Sequence, residues 1–314
     1  MENRFFAGID VGGTFIKGAL LTPDGQIIAN SKIPTECGSG ERLAELIFEL
    51  YSELIHSADI NENDVVGIGI GIPGMVDKEN GVILCAENLK VYNYELGKRI
   101  KEMTSKPCAL ANDASAAALG EALFGAGSKY KNSVMVTLGT GVGGGIIIDG
   151  RLFEGNKGAG AEIGHTVILH GGEKCACGRR GCFEQYASAS ALIRETKKAM
   201  LAHRDSLLWQ IGSPDAVNGK SAFDFKDTDK YAKEVVDNYI EMLACGLASL
   251  ANVFRPEVII LGGGICAQGE NLLVPLRKRF NEELFAADFG PGVDIIVAER
   301  GNDAGCLGAA ALLF

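Results

Sequence analysis

The 314-residue chain is 47% apolar and 22% charged, which excludes disorder and is enough for two domains with cores of their own. Thirty Lys and Arg against forty Asp and Glu give a net charge of −10, which argues against nucleic acid or an anionic membrane as a general partner. No apolar run reaches transmembrane length and no basic, apolar leader precedes the first strand; with six cysteines scattered singly, a cytoplasmic protein with reduced thiols is expected.

Phe5 to Asp10 predicts a short buried strand, Gly12-Gly13 breaks it, and Ile16 to Leu21 resumes before the Pro23-Asp24-Gly25 turn signal, which makes a β-hairpin. A third strand is expected over Ile27 to Lys32. Leu43, Leu46, Ile47, Leu50 and Leu54 keep helical spacing within 41–57, and Val65 to Ile72 has the β-branched content of a buried strand. A second unit of the same kind begins after Asn112-Asp113, with an alanine-rich helix over 114–124 and a strand over 133–138. The glycine run Leu138-Gly-Thr-Gly-Val-Gly-Gly-Gly145 then leads into Ile146 to Gly150. Two glycine-turn hairpins at corresponding places predict a duplication at the level of fold, with a cleft between the halves. Helices are expected over 187–203 and 229–253, a strand over 257–261 entering Gly262-Gly263-Gly264, and an apolar helix over 303–313; 209–227 has loop composition.

Glycine lets consecutive backbone N–H groups converge on an anion, so three glycine turns, two of them carrying Thr14 and Thr140, point to phosphate; a tight hairpin uses glycine in any case. No Gly-x4-Gly-Lys-Ser/Thr loop occurs. Gly139-Thr-Gly141-Val-Gly-Gly144 matches the dinucleotide pattern, but that site needs a helix after the glycines, and Ile146 to Ile148 predict a strand, which leaves a nicotinamide-dependent oxidoreductase as a minor alternative.

Glu162-Ile-Gly-His165 and, after nine intervening residues, Cys175-Ala-Cys177-Gly-Arg-Arg-Gly-Cys182-Phe-Glu184 gather three thiols, an imidazole and two carboxylates. His165, Cys175, Cys177 and Cys182 form a Cys3His set for a tetrahedral zinc ion; with all four positions filled by protein, the ion would organise structure and not activate water. Glu162 and Glu184 are left as acceptors for a hydroxyl-rich ligand, or as solvated surface. His170 reads as a surface residue.

Asp113 stands at a strand-to-helix junction, where an Asp is commonly an N-cap. Its alternative role comes from its company. With a polyol held by Asn112, Glu162, His165 and Glu184 and a triphosphate on the glycine turns, Asp113 could take the proton of a hydroxyl attacking the γ-phosphate. Magnesium would neutralise the phosphates, with Asp10 holding it through water.

These motifs resemble the ROK family of sugar kinases and repressors, within the actin-like ATPase superfamily, over almost the whole chain. Asp10-Val-Gly-Gly-Thr-Phe-Ile-Lys17 is similar to the family's first phosphate motif, 138–145 to its second, Leu261-Gly-Gly-Gly264 to its adenosine segment, and Glu162 to Cys182 to its zinc signature. The resemblance implies an α/β, ribonuclease H-like fold of two domains, a small one over 1–111 plus 303–314 and a large one over 112–302. It implies Asp113 as catalytic base, Gly74, Asn112, Glu162, His165 and Glu184 as sugar contacts, and His165 serving zinc and sugar at once. Asp10, Gly12, Gly13, Thr14, Lys17, Gly139, Thr140, Gly141, Gly262 and Gly263 would face ATP and magnesium. The family's repressors add an N-terminal DNA-binding segment, and this chain opens at the first phosphate strand, so repression is not expected. A homodimeric glucokinase acting on the 6-hydroxyl of glucose is the expectation. Relatives use N-acetylmannosamine, N-acetylglucosamine, fructose, mannose or allose, and Val91 or Tyr92 stands where glucokinases often carry Trp. A non-catalytic sugar sensor is the alternative of another class.

Overall fold

Two five-stranded sheets built on one plan carry the chain. The computed structural model describes residues 4–314; Met1, Glu2 and Asn3, where the expected small domain begins, lie outside the described residues. In chain order come β1 (Phe5–Val11), β2 (Phe15–Leu21), β3 (Ile27–Pro34), α1 (Gly40–Ala58), β4 (Val65–Ile72), β5 (Met75–Asp77), β6 (Val82–Ala86), β7 (Val91–Tyr94), α2 (Leu96–Thr104), β8 (Cys108–Asn112) and α3 (Asp113–Phe124). They are followed by β9 (Ser133–Leu138), β10 (Val142–Ile148), β11 (Arg151–Phe153), α4 (Glu184–Ala187), α5 (Ala189–Ala202), α6 (Ser221–Phe225), α7 (Lys230–Phe254), β12 (Val258–Gly262), α8 (Glu270–Glu283), β13 (Asp294–Val297) and α9 (Ala304–Ala311). The sheets are ordered β3-β2-β1-β4-β8 and β11-β10-β9-β12-β13. In the first, β1, β2 and β3 are antiparallel neighbours and β1, β4 and β8 run parallel; in the second, β10 and β11 are antiparallel and β9, β12 and β13 parallel. The duplication expected from two glycine hairpins is therefore present in the topology.

The chain divides into two compact units. The first ends at Asn132 and regains Gly145–Ala161 and Ala298–Phe314; the second holds Ser133–Gly144 and Glu162–Val297. In the first unit the apolar stripe of α1, Leu43 to Leu54, is buried with Ile9, Ile16 and Leu20 of the sheet. Ser39 caps α1 by accepting the Arg42 N–H, and Asp59, at φ 51°, ends it. Helix α9 covers the sheet at backbone contact. A Cβ on Gly8 would overlap the Cys306 carbonyl, one on Gly69 the Ala309 carbonyl, and one on Gly308 the Ala116 carbonyl of α3. The alanine and glycine content of 304–311 is what lets the helix lie that close.

In the second unit the long helix α7 buries Val236, Tyr239, Leu243, Leu247 and Leu250, and Gly246 makes room for the Phe183 ring. The predicted helix over 187–203 is α5, and a short helix α4 precedes it, the two parted where Ser188 leaves helical geometry at ψ 160° to cap α5 through the Ala191 N–H. The loop expectation for 209–227 gives way to short helical turns and α6, with Leu208 and Val217 packed on Met200 and Ala232. Among the described residues no helix is long and apolar enough to cross a membrane.

Candidate active site and metal centre

The first glycine turn joins β1 to β2. Asp10 and Lys17 face each other in the hairpin register, with Nζ 3.9 Å from Oδ2, and the Gly12 N–H donates to the Phe15 carbonyl at 3.0 Å. Thr35 fixes the turn from β3's end, its hydroxyl donating to the Gly12 carbonyl at 2.8 Å and its N–H to the Thr14 carbonyl at 2.9 Å. Thr35 carries no motif of its own, so only the folded hairpin shows its part. Gly13 takes no left-handed φ, and a Cβ there would meet nothing within 4 Å. Neither strain nor packing inside the protein accounts for that glycine, which is what a backbone left open to a ligand requires. Asp10 is largely buried, and its pKa is pushed up to about 6, first by burial, against the lowering effect of Lys17 and with a smaller push from Asp113. Gly305 stands beside it: a Cβ there would lie 2.6 Å from the Asp10 Cγ.

At the β8–α3 junction the cap is Asn112, not Asp113. Asn112 Oδ1 accepts the N–H groups of Ala114 and Ser115 at 2.9 and 3.1 Å, and its Nδ2 donates to the Gly74 carbonyl at 3.0 Å. Gly74 itself takes φ 137°, and a side chain there would overlap the Cys85 carbonyl. With the cap position filled, Asp113 is the first helical residue. Its Oδ1 accepts the Ala114 N–H at 2.9 Å, while burial pushes its pKa upward against that bond. It is a half-buried carboxylate with acceptor capacity to spare.

The second unit holds the clustered thiols. Cys175 Sγ lies 3.6 Å from His165 Nδ1, Cys177 Sγ lies 3.6 Å from Cys182 Sγ, and the four ligand atoms fall within 4.8 Å of one another. Four ligands placed tetrahedrally at ~2.3 Å from a zinc stand about 3.8 Å apart, whereas a disulfide holds its sulfurs at ~2.05 Å, so the spacing fits a metal cage. Antiparallel bridges Val167 to Cys182 and Lys174 to Arg180 fold the segment back on itself, with Gly178 and Gly181 at φ 89° and 82° in the turn. His165 Nδ1 faces the sulfurs, which leaves Nε2 as the nitrogen free for another partner. Glu162 and His170 are exposed.

The second glycine turn, between β9 and β10, leans on this knuckle. Glu184 Oε2 accepts the Val142 N–H at 3.2 Å and occupies the space a Gly141 side chain would need, while its Oε1 lies 3.8 Å from Cys175 Sγ. Gly139 closes the turn by donating to the Gly141 carbonyl at 3.0 Å, and a Cβ on Gly139 would again meet nothing. Gly263, at φ 96°, lies against the Leu138 carbonyl and ties the Gly262-Gly263 run to the same turn. The strand β10 runs through Gly143 to Gly145, so the helix start that a dinucleotide site needs is missing at these glycines. The candidate residues thus fall into two sets. Asp10 to Lys17, Gly74, Asn112 and Asp113 belong to the first unit, and 139–141, Glu162, His165, the cysteines, Glu184 and 262–263 to the second.

The ROK family profile matches residues 6–314. A glucokinase of Halalkalibacterium halodurans is 38% identical over 98% of this chain and 94% of that protein, and one of Thermotoga maritima 35% identical over 98% and 96%. The crystal structure of a ROK family glucokinase from Streptomyces griseus in complex with glucose and AMPPNP superposes with a TM-score of 0.82 at 34% identity, covering 98% of each chain. The duplicated sheet plan is the actin-like ATPase fold of these kinases. With the profile matching nearly its whole length, the chain belongs to the ROK family.

Proposed function

We propose that the chain is an ATP-dependent glucokinase that transfers the γ-phosphoryl group to the 6-hydroxyl of glucose, with Asp113 as general base. The observation that carries this reading is the release of Asp113 from capping duty. Asn112 satisfies the helix end, and Asp113 keeps a half-buried carboxylate of raised pKa, suited to taking a hydroxyl proton as the oxygen attacks. Asn112, Gly74, Glu162, His165 and Glu184 supply the hydrogen bonds that orient the sugar, and the turns at 12–14 and 139–141 with Gly262 and Gly263 take the nucleotide. The glucokinase relatives support the sugar, and the complex of the Streptomyces griseus enzyme supports the pairing of glucose with an ATP analogue.

His165, Cys175, Cys177 and Cys182 would hold a structural zinc ion, which fixes the knuckle and the His165 tautomer. Asp10 would hold magnesium through water, and magnesium when bound neutralises phosphate charge. Lys17, beside Asp10, adds a positive group on the same strand pair. The enzyme is taken to be a cytoplasmic homo-oligomer, in keeping with the free state of Cys37, Cys85, Cys108, Cys245, Cys266 and Cys306.

A coupled ATP-consumption screen over hexoses and N-acetylhexosamines tests reaction and substrate together. Glucose is expected to give the highest kcat/KM. A preference of tenfold or more for N-acetylmannosamine or another sugar would displace glucose and keep the kinase; the absence of ATP turnover with every sugar would favour a sugar sensor.

A further inference from the structure

The knuckle and the second glycine turn are joined by more than chain continuity. Glu184 follows the ligand Cys182 by two residues and places one carboxylate oxygen on the Val142 N–H and the other beside Cys175 Sγ. The Ala189 N–H, just beyond the short helix that Glu184 opens, donates to the Gly139 carbonyl at 2.8 Å. From the other arm of the knuckle, Gly164 lies so close to the Val142 carbonyl that a side chain would overlap it, and Ile163 fills the space beside Gly144. Residues 139–144 are therefore held from both sides by the segment that carries the metal ligands. Gly141 gains a reason of its own: any side chain would displace the Glu184 carboxylate.

We propose that Glu184 is a positioning residue for the 139–142 turn, setting its shape for the nucleotide independently of any contact with sugar. The inference rests on the reading of that turn as a phosphate site. A charged acceptor on the Val142 N–H draws that donor toward the knuckle, so the turn's remaining N–H groups keep a fixed direction before nucleotide arrives. Removing the carboxylate leaves the Val142 N–H without this acceptor and opens the space beside Gly141, and the turn loses its fixed shape. The sugar-binding knuckle and the nucleotide turn then form one mechanical piece, with Glu184 as the joint.

The test measures binding of a non-hydrolysable ATP analogue by calorimetry with no sugar present, together with zinc content, for wild type, Glu184→Ala, Glu184→Gln and Glu162→Ala. Glu184→Ala is expected to weaken nucleotide binding by about tenfold, the equivalent of one charge-assisted hydrogen bond. Glu184→Gln, which keeps an acceptor oxygen, should stay within about threefold of wild type, and Glu162→Ala should bind nucleotide as wild type does. Zinc content should be unchanged in all three. Wild-type nucleotide affinity in Glu184→Ala would overturn the proposal, and so would a loss seen only together with loss of zinc, since the effect would then run through the metal cage. If the wild-type protein itself binds no nucleotide, the kinase reading falls and takes this inference with it.

Discussion

Burial sets the chemistry of both carboxylates in the first unit. Asp113 is expected to lose little binding and most turnover on substitution: Asp113→Asn should lower kcat by ~10²- to 10⁴-fold while glucose and nucleotide affinities stay within about threefold, as titration calorimetry and steady-state kinetics would show. Because burial pushes its pKa up, the acid limb of the kcat/KM profile should lie above the ordinary aspartate range. Asp10 makes a prediction about stability. Its folded pKa of about 6 exceeds the ordinary 3.8, so between those values the folded state holds a proton the unfolded state has released, and stability falls as pH rises through that window. The loss is on the order of 3 kcal/mol and is complete above the folded pKa. Asp10→Asn should therefore raise the unfolding free energy of the metal-free protein at pH 7.5 and change it little at pH 3.5, measured by urea titration; equal effects at both would show that charge burial is not the cause.

At the scale of elements, glycines of two kinds separate. Gly308 lies against the Ala116 carbonyl, backbone on backbone, with no flexible side chain to move aside. Gly308→Ala should cost more than about 3 kcal/mol or prevent folding. A Cβ on Gly13 or Gly139 would meet nothing, so Gly13→Ala should leave the melting temperature within about 2 °C of wild type while raising the KM for ATP several-fold. The sequence alone marks these glycines alike. What it does carry is the period of the long elements: α1 and α7 announce their buried stripes, and β4 its run of β-branched residues. Helix α8 keeps helical spacing at Leu272, Leu273, Leu276 and Phe280 but is masked by Pro275 inside it, and the helical turns of 207–225, three to five residues each, are too short to show a period. The clustering of His165 with the three cysteines was legible because thiol spacing is a chemical signature independent of fold, whereas the cap at Asn112 needed the backbone. Asn and Asp are equally good caps, and only the φ and ψ of the junction say which one holds the place.

Across the whole molecule, the metal should matter unevenly. The first unit's core, Ile9 and Ile70 with the α1 stripe, contains none of the four proposed ligands, while in the second unit the segment that carries them braces 139–144 through Glu184 and Gly164. Structural zinc in small peptides binds with ~10–16 kcal/mol, comparable to the ~5–15 kcal/mol stability of a domain, so a unit without another core would unfold on its loss. The second unit has another core: α7 alone buries Tyr239, Leu243, Leu247 and Leu250, and Met200, Leu208 and Val217 pack beyond it. Loss of the ion should then loosen the knuckle and the adjoining turn before it melts the unit. Cys177→Ser is chosen because Cys177 is the exposed member of the proposed ligand set and its replacement leaves the packing of Cys175 and Cys182 intact. The variant should fall at least about 100-fold in kcat/KM for sugar. Hydrogen exchange should rise across 162–184 and 139–144 and stay at wild-type levels in β1, β4 and α9. A metal-free Cys177→Ser protein with wild-type turnover would show that the knuckle needs no ion to present His165, and uniform loss of protection across both units would show that the metal holds the fold as a whole.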